Sequence, residues 1–389
     1  MKSNLFSRWP YYSFKEINSV NKILKSGKVN YLGGTFGNKF EKKFSKFIGM
    51  KYGVALSNGT VALEIALKSL NITKNDEVIV TPRSYFTSAS SIVKVNAKPI
   101  FTDIDINSQN IDIEAIKKNI SNKTKAIICV HLGGFPCDMI EILKIAKKFN
   151  LFVIEDCSQS HGAKIQNKFV GSFGDISTWS FCNDKIISTG GEGGMILTNK
   201  KNIFNFIWSY KDQGKNYNKY FKKNPSKIFK YTHDMVGSNF RLTEMQSAIG
   251  IIQLNNLNKT ISIRNKYAKM MTKTLKPYKS IITQNTNKEL LHAYYRYYFL
   301  INDKYLKNSF NRNKIIKIIS NYGIECGSGS CPEIYNETSM KIFKPKNLLK
   351  NSIFVGKQSI ALNLHHNLKL KEVKYICKLI DKVMKKVTK

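Results

Sequence analysis

The first two-thirds of the chain alternates short apolar segments with amphipathic ones, and this alternation restricts the possible fold more than any other feature. Residues 61–70 and 139–149 carry apolar side chains at helical spacing. Six apolar segments have the length of β-strands, and they span residues 78–80, 99–101, 126–130, 151–154, 176–181 and 195–198. Alternating strands and helices are typical of a largely parallel sheet that is covered by helices. The sequence therefore predicts an α/β fold for this part of the chain.

The pattern changes after about residue 258, which predicts a second, smaller domain. A helix is predicted to begin at Thr243, because Thr243-Glu244-Met245-Gln246 matches a capping box and the apolar residues that follow form one face. Beyond it, the sequence predicts an aromatic strand and two helices, at residues 294–301, 314–320 and 371–385. We therefore expect a large α/β domain over residues 1–258 and a smaller α+β domain over residues 259–389.

Length and composition are those of a globular protein that is long enough for two domains of ordinary size. The 389 residues are 42% hydrophobic, which is enough to fill real cores. Residues 1–15 lack the apolar run of a secretory signal, and no stretch approaches the roughly 18 consecutive apolar residues of a membrane helix. The seven cysteines are irregularly spaced without a CxxC pair, which predicts free thiols and no metal site. We expect a cytoplasmic protein without membrane segments.

The net charge of +37 raises the hypothesis of a nucleic-acid-binding protein. However, 57 of the 63 basic residues are lysines, whereas proteins that bind bases and phosphates favour the bidentate guanidinium group of arginine. Lysine, asparagine and isoleucine are all abundant, which more simply indicates an A/T-rich coding sequence. We therefore expect no nucleic-acid partner, although a positive surface attracts an anionic small substrate.

Residues 151–194 carry a dense series of reactive side chains. Glu155 and Asp156 follow a predicted strand, and open α/β sheets present ligand-binding groups at the carboxyl ends of their strands. Ser180 and Lys185 then place a hydroxyl and an amine five residues apart, and a glycine cluster follows them. A lysine in such a place can act as a Schiff-base nucleophile. This order of groups favours a site for pyridoxal phosphate (PLP).

The tetrapeptide Ser57-Asn58-Gly59-Thr60 comes directly before a predicted helix. Its hydroxyl groups and backbone amides could bind a phosphate, because the N-terminus of a helix attracts anions. An ordinary helix cap after a turn explains these four residues equally well when they are taken alone. The sequence contains no Walker motif and no G-x-G-x-x-G fingerprint, which argues against nucleotide hydrolysis and dinucleotide binding.

Taken together, these segments resemble the DegT/StrS-type nucleotide-sugar aminotransferases, a branch of the fold-type I PLP enzymes. The resemblance covers roughly the first two-thirds of the chain, where the motifs stand in family order, and it is looser in the last third. Further matching segments are Asp76-Glu77-Val78-Ile79, residues 97–105, 124–133, 155–163 and 171–194, and Gly237-Ser238-Asn239-Phe240-Arg241. The resemblance implies a fold-type I architecture, with a large and mostly parallel seven-stranded sheet domain and a smaller C-terminal α+β domain.

The same resemblance implies which residues contact the reactive part of the cofactor. Lys185 would be the catalytic lysine that forms the Schiff base with PLP. Asp156 would face the pyridine nitrogen, where a carboxylate favours the protonated ring. Gln159 would donate a hydrogen bond to the ring oxygen of PLP.

The resemblance also implies the contacts of the cofactor phosphate and the face of its ring. Gly59 and Thr60 would bind the phosphate at the helix start, together with the Ser180 hydroxyl. Asn58 occupies a position where the family commonly has serine. Tyr85 aligns with the aromatic residue that stacks on the cofactor ring, while a core position is an open alternative.

The family forms homodimers with shared active sites, in which the segment around Asn239 reaches the neighbouring subunit's phosphate.

The sequence leaves the roles of two residues and one loop undecided. Arg241 either positions an anionic group or pins that segment, and His161 either serves the site or fills the core. The loop at residues 326–332 lies where related chains contact the substrate, but it lacks the histidine-rich pattern often seen there.

The implied reaction moves an amino group from an amino donor, L-glutamate by family analogy, to a keto-sugar linked to a nucleoside diphosphate. A related dehydratase branch has histidine in place of the lysine, so Lys185 favours transamination. Two other enzyme or binding classes remain open alternatives: a fold-type I enzyme that acts on amino acids, and a PLP-binding regulator. The complete set of lysine, aspartate and glutamine argues against the regulator.

Overall fold

The structure is a computed structural model that describes residues 6–222 and 229–389. Its β-strands are β1 (Tyr52–Leu56), β2 (Glu77–Val80), β3 (Lys98–Phe101), β4 (Thr124–Val130), β5 (Phe152–Asp156), β6 (Lys164–Ile165), β7 (Lys168–Phe169), β8 (Ile176–Ser180), β9 (Gly194–Thr198), β10 (Ile281–Thr283), β11 (Leu290–Leu291), β12 (Tyr297–Ile301), β13 (Cys326–Gly327) and β14 (Ser359–Leu362). Its α-helices are α1 (Phe14–Ser26), α2 (Phe36–Ile48), α3 (Gly59–Ser69), α4 (Thr87–Lys94), α5 (Ile113–Asn119), α6 (Met139–Phe149), α7 (Lys201–Lys211), α8 (Tyr217–Phe221), α9 (Glu244–Asn255), α10 (Leu257–Leu275), α11 (Arg312–Asn321), α12 (Lys350–Gln358) and α13 (Leu370–Val387).

Seven strands form one large sheet in the order β1-β9-β8-β5-β4-β2-β3. The strands from β8 to β3 in this order all run parallel, whereas β9 is antiparallel to both of its neighbours. The sheet is therefore mostly parallel, which confirms the predicted fold class. Because the parallel strands end at one edge, the residues that follow them converge there, as in other open α/β sheets.

Helices bury both faces of this sheet, so its central strands are apolar at nearly every position. On β4, the adjacent residues Ile127 and Ile128 belong to two different core clusters, because successive side chains of a strand point to opposite faces. Phe40 and Phe44 of α2 pack in the first cluster, and Ala62 of α3 packs in the second. This two-sided burial explains why the central strands read as continuous apolar runs in the sequence.

A four-stranded antiparallel sheet, in the order β10-β12-β14-β13, forms the second layer of strands. Phe299 of β12 lies in a third core cluster with Met271 of α10 and Ile380 of α13. A small third sheet pairs β11 with β6, and so joins the C-terminal part of the chain to the region that follows β5. The division into domains at residue 258 stays a prediction.

Several predicted boundaries were wrong, each for a local reason. The acid pair Glu155 and Asp156 does not follow its strand but forms the last two residues of β5, because the pairing with β4 continues to Val130. The aromatic strand begins at Tyr297 rather than at residue 294, since Tyr294 has a φ of +48°, which is incompatible with an extended strand. The capping box at Thr243 was predicted correctly.

Among the described residues, no helix is both long enough and apolar enough to cross a membrane. The cytoplasmic location stays a prediction.

Candidate active site

A cavity of about 1180 Å³ opens at the carboxyl edge of the large sheet. It brings together residues from the ends of several strands and from the loop at residues 325–331. The predicted site residues that line it are Asn58, Gly59, Thr60, Tyr85, Asp156, Gln159, Ser180 and Lys185. Asn239, the remaining predicted contact of the phosphate, does not line the cavity of its own chain within the described residues.

The N-terminus of α3 forms a cradle of donors at one end of the cavity. Asn58 caps this helix, because its side-chain oxygen accepts a hydrogen bond of 2.9 Å from the backbone N–H of Val61. The preceding N–H groups, those of Gly59 and Thr60, belong to the first turn of a helix, which has no backbone acceptors for them. The hydroxyl groups of Thr60 and Ser180 border the same space. Such a set of donors at a positive helix end fits a phosphate dianion.

Close backbone packing explains the glycine in this cradle. A Cβ atom at Gly59 would lie 2.7 Å from Cβ of Ser180, so the start of α3 and the end of β8 can approach this closely only without a side chain there. Gly194 on β9 plays a similar part, since a Cβ atom there would lie 2.3 Å from the backbone oxygen of Asn58. The two glycines therefore hold the helix start and the Ser180 hydroxyl in one compact arrangement.

Asp156 ends β5 with its carboxylate almost fully buried at the edge of the cavity. The hydroxyl of Ser88 donates a hydrogen bond of 3.1 Å to it, and the backbone N–H of Ser158 donates another of 3.2 Å. Buried carboxylates need such partners, because burial without hydrogen bonds is costly. Asp156 is thus held as an acceptor toward the cavity, as a group that pairs with a cationic ring nitrogen requires.

Gln159 follows in the turn after β5 and is held by its side-chain oxygen. That oxygen accepts a hydrogen bond of 2.7 Å from the backbone N–H of Gly133. Because the acceptor atom is used in this contact, the Nε2 donor is left available to a ligand in the cavity. This arrangement suits a hydrogen bond to the ring oxygen of PLP.

Glu155 has a structural role beneath the site, although it neighbours Asp156. It accepts hydrogen bonds from the backbone N–H groups of Gly171, Phe173 and Gly174 at 2.7 to 2.8 Å. The Nε2 atom of His131 lies 3.2 Å from the same carboxylate, and the other ring nitrogen of His131 accepts from a backbone N–H. These contacts occupy the ring nitrogens of His131 and the carboxylate of Glu155, which lie close to the buried thiol of Cys157.

Lys185 lies in the loop after β8, and its side chain is nearly buried at the cavity wall. Its Nζ atom is 3.4 Å from the hydroxyl of Tyr295 and 3.6 Å from the carboxylate of Asp184. Burial lowers the pKa of the amine, but its interactions with Tyr295 and with the Asp184 carboxylate outweigh this effect, so that the pKa of Lys185 is raised above its usual value. The indole N–H of Trp9 donates to the backbone oxygen of Lys185 at 2.9 Å and holds the loop.

The opposite walls of the cavity include exposed aromatic and loop residues. Tyr85 is 71% exposed, so its ring is available to a ligand and the alternative of a core position was wrong. The loop at residues 326–332 lines the cavity through several of its members. Arg83 holds this loop, because its buried guanidinium group donates to the backbone oxygen of Ser330 at 3.2 Å.

His161, Arg241 and Asn239 lie away from the cavity lining. His161 is fully buried between Trp179 and Phe181, which supports the interpretation as a core residue, and burial lowers its pKa to about 3. Arg241 forms a salt bridge of 2.8 Å with the buried Asp212 and so pins the segment that carries Asn239. Asn239 itself is exposed to solvent.

Sequence reasoning missed several residues that line the same cavity. Tyr295, Arg296 and Glu325 come from the last third of the chain, where the motif match is loose. Asp184 is adjacent to Lys185 in the sequence. Its contact with Tyr295, however, joins residues 111 positions apart, and no local sequence pattern predicts it.

An amine, a carboxylate and a phosphate cradle at the carboxyl edge of a mostly parallel sheet define a PLP-dependent enzyme. The model of the DegT/DnrJ/EryC1/StrS aminotransferase family matches residues 11–381, and the chain belongs to this family. The predicted family, enzyme class and cofactor are thereby confirmed.

Similar proteins agree with this assignment. GDP-perosamine synthase of Escherichia coli O157:H7 is 35% identical over 374 residues, which are 96% of this chain and 96% of that protein. The X-ray structure of an aminotransferase from Psychrobacter cryohalolentis matches with a TM-score of 0.96 and 38% identity, over 98% of this chain and 99% of that one. E. coli GDP-4-keto-6-deoxy-D-mannose-3-dehydratase with bound hydrated PLP matches with a TM-score of 0.85 and 27% identity, over 96% of this chain and 99% of that one.

Proposed function

We propose that this enzyme transfers an amino group from L-glutamate to a keto-sugar linked to a nucleoside diphosphate. One observation carries the proposal: Lys185, Asp156 and the α3 cradle line a single cavity in a chain that matches an aminotransferase family over nearly its whole length. The relative named GDP-perosamine synthase supports a guanosine diphosphate sugar as the acceptor. The product is an amino-sugar nucleotide.

The cradle binds the cofactor through its phosphate. A dianion in this place meets the backbone N–H groups of Gly59 and Thr60 at the positive end of α3, and the hydroxyl of Ser180 donates from the neighbouring strand. Charge-assisted hydrogen bonds of this kind are the strong ones, so the cradle supplies a large part of the affinity. The exposed Tyr85 would hold one face of the ring.

Asp156 and Gln159 set the electronic state and the orientation of the cofactor. When bound, PLP supplies an electron-accepting ring for the carbon that loses its proton. Asp156 keeps the ring nitrogen protonated, because a buried carboxylate favours a cation beside it. The two hydrogen bonds that Asp156 accepts, from Ser88 and from the backbone of Ser158, hold its carboxylate in place.

Lys185 has two duties in the proposed cycle. Its amine would hold PLP covalently, with loss of one water molecule, and once an amino donor has taken its place the free amine would move the proton as a base and acid. Lysine rather than histidine at this position supports amino transfer over the dehydration of the related branch.

The direct test is an assay of the purified protein with PLP, L-glutamate and a panel of nucleotide-linked keto-sugars, with products weighed by mass spectrometry. The panel begins with GDP-linked 4-keto sugars because of the relative's name. The expected result is an amino-sugar nucleotide and one equivalent of 2-oxoglutarate. Amination of free keto acids alone would favour an amino-acid enzyme, and a lack of turnover with every donor and acceptor would contradict the proposal.

The proposed enzyme is a homodimer with shared active sites. Three apolar side chains near Asn239 are highly exposed in the single chain: Phe229 is 77% exposed, Tyr231 is 90% exposed and Val236 is 93% exposed. The exposure of such an apolar patch to water is unfavourable. We propose that a second copy of the chain packs against it. Asn239 lies in the same segment and would then reach the neighbour's phosphate.

Mixing two inactive variants tests the shared site. A dimer that carries Lys185→Ala in one subunit and Asn239→Ala in the other has one site with both lesions and one intact site. Activity should therefore return when the two variants are unfolded and refolded together, but not when each is refolded alone. If activity does not return although mixed dimers form, Asn239 does not act across the interface.

A further inference from the structure

The amine of Lys185 lies against a second pair of polar groups that the proposed cycle does not use. Its Nζ atom is 3.4 Å from Oη of Tyr295 and 3.6 Å from a carboxylate oxygen of Asp184. The same Nζ atom is 4.8 Å from the centre of the Tyr295 ring. These contacts belong to the free amine, which is the form that moves the proton.

The hydrogen bond to Asp184 makes the Tyr295 hydroxyl an acceptor toward Lys185. This hydroxyl donates a hydrogen bond to the other carboxylate oxygen of Asp184. Because the single O–H proton is committed to that bond, only lone pairs of Oη are left to face Lys185. The pair therefore offers the amine an acceptor and a nearby negative charge, which is the environment that an ammonium group requires.

The backbone around Tyr295 is held in place from two sides. The buried guanidinium group of Arg264 donates to the backbone oxygens of Tyr294 and Tyr295 at 2.9 and 3.4 Å. On the other side, the backbone N–H of Arg296 donates to the oxygen of Gly133 at 3.2 Å. The phenol is thus fixed relative to the turn that also holds Gln159.

Other charged groups near the amine do not cancel this pair. Arg296 lies 3.7 Å from Asp184 and stacks on the Tyr295 ring at 4.9 Å, on the side where it also pairs with Glu325. The other titratable groups close to Lys185 are Cys182 and His161. Among the described residues, the other titratable groups that line the cavity are Glu64, Tyr85, Lys94, Asp156, Glu192, Tyr298, Cys326, Cys331 and Glu337. Burial would lower the pKa of Lys185, yet its interactions with Tyr295 and with the Asp184 carboxylate raise it. Burial together with the positive charge of Lys185 lowers the pKa of His161 and keeps that residue neutral.

We propose that Asp184 and Tyr295 are positioning residues, which hold the free amine of Lys185 at the cavity wall and keep it protonated. The inference rests on the proposed role of Lys185. It adds that two neighbouring side chains control the protonation state of its amine. After Lys185 has taken a proton, the pair stabilises the resulting ammonium group. The ammonium group then transfers the proton to the acceptor carbon, and no other side chain changes its protonation state.

The interaction of Asp184 and Tyr295 with Lys185 has a measurable consequence for the attachment of the cofactor. A Schiff base forms from the neutral amine, so the rate at which PLP joins Lys185 should rise with pH and level off above the pKa of the amine. Replacing Asp184 by asparagine removes the negative charge while keeping the size of the side chain. The pH midpoint of the attachment rate should then fall by about one pH unit, the lower end of the effect of a neighbouring charge, because the Asp184 side chain is 41% exposed.

The test measures the absorbance of the Schiff base against time after PLP is added to the cofactor-free, full-length protein, over a range of pH. Tyr295→Phe keeps the ring but removes the acceptor, and it should shift the midpoint in the same direction. Glu337→Gln is the matched control, because it removes a carboxylate from the same cavity without a contact to Lys185. This control should keep the midpoint of the unmodified protein.

The outcomes separate this inference from the proposed function. If PLP does not attach to Lys185 in the unmodified protein, the proposed role of Lys185 fails. If PLP attaches but the midpoints of Asp184→Asn and Tyr295→Phe equal that of the unmodified protein, the positioning role is refuted. A variant with a lower melting temperature but the same midpoint would also refute it, since loss of stability alone changes the amplitude and not the pH dependence.

Discussion

Replacing Gly59 by alanine should weaken cofactor binding far more than it weakens the fold. The new Cβ atom would lie 2.7 Å from Cβ of Ser180 and 3.2 Å from its Cα. Overpacking of a tight contact costs about 1 to 3 kcal/mol, whereas alanine gains up to about 1 kcal/mol over glycine in a helix. We therefore expect a loss of roughly 1 kcal/mol in the free energy of unfolding.

The effect on the cofactor is larger because the clash moves α3 away from β8. The two sides of the phosphate cradle then separate, and at least one charge-assisted hydrogen bond, worth about 1.5 to 3 kcal/mol, is lost. The dissociation constant for PLP should rise by about 10-fold to 100-fold. Titration of PLP followed by absorbance measures this change, and urea unfolding of the cofactor-free protein measures the stability.

Two further variants test the reasoning. Gly33→Ala is a control at a glycine where an added Cβ atom would have no neighbour closer than 4.0 Å, and it should leave the PLP affinity unchanged. Adding Ser180→Gly to Gly59→Ala removes the clashing Cβ atom and should restore part of the unfolding free energy, but not the affinity, since the hydroxyl is gone. If Gly59→Ala binds PLP as tightly as the unmodified protein, the cradle at α3 does not hold the phosphate.

Three other changes have distinct expected results. Lys185→Ala should retain the dimer but lose turnover, as measured by light scattering and by the amination assay, and unaltered turnover would refute the assignment. Arg264→Ala should lower the unfolding free energy by about 3 kcal/mol in a urea titration, because two backbone oxygens lose their buried donor; a loss near zero would contradict that role. His161 has a pKa lowered from 6.5 to about 3 in the folded state, so its contribution to stability is complete above pH 6.5 and is lost as the pH falls. His161→Phe should therefore flatten the fall in stability below pH 6.5 by up to about 1.4 kcal/mol per pH unit, and equal slopes would show that His161 is not buried in its neutral form.

The large sheet could be predicted from the sequence because its central strands are buried on both faces. Residues 126–130 and 151–154 form continuous apolar runs, which need no knowledge of distant contacts. Strand β1 was missed although it belongs to the same sheet, since only three residues separate Tyr52–Leu56 from the end of α2, which was also missed. That helix was missed even though Phe36, Phe40 and Phe44 stand at helical spacing.

The cofactor residues could be predicted where they stand in compact segments. Asn58 to Thr60, and Ser180 to Lys185, combine their chemistry within a few positions of one another. The wall that faces Lys185 could not be predicted, because Tyr295 reaches Asp184 only through the packing of the last third of the chain onto Gly133 and Gly134. Contacts of this length depend on tertiary structure and leave no periodic pattern in the sequence.

The central claim is that PLP is covalently joined to Lys185. Reduction of the holoprotein with borohydride makes this bond permanent, and peptide mass mapping then locates it among the 57 lysines. We expect the added mass to lie on the peptide that carries Lys185 and to be absent from the Lys185→Ala variant. A reduced adduct on another lysine, or none in a protein that still catalyses amino transfer, would contradict it.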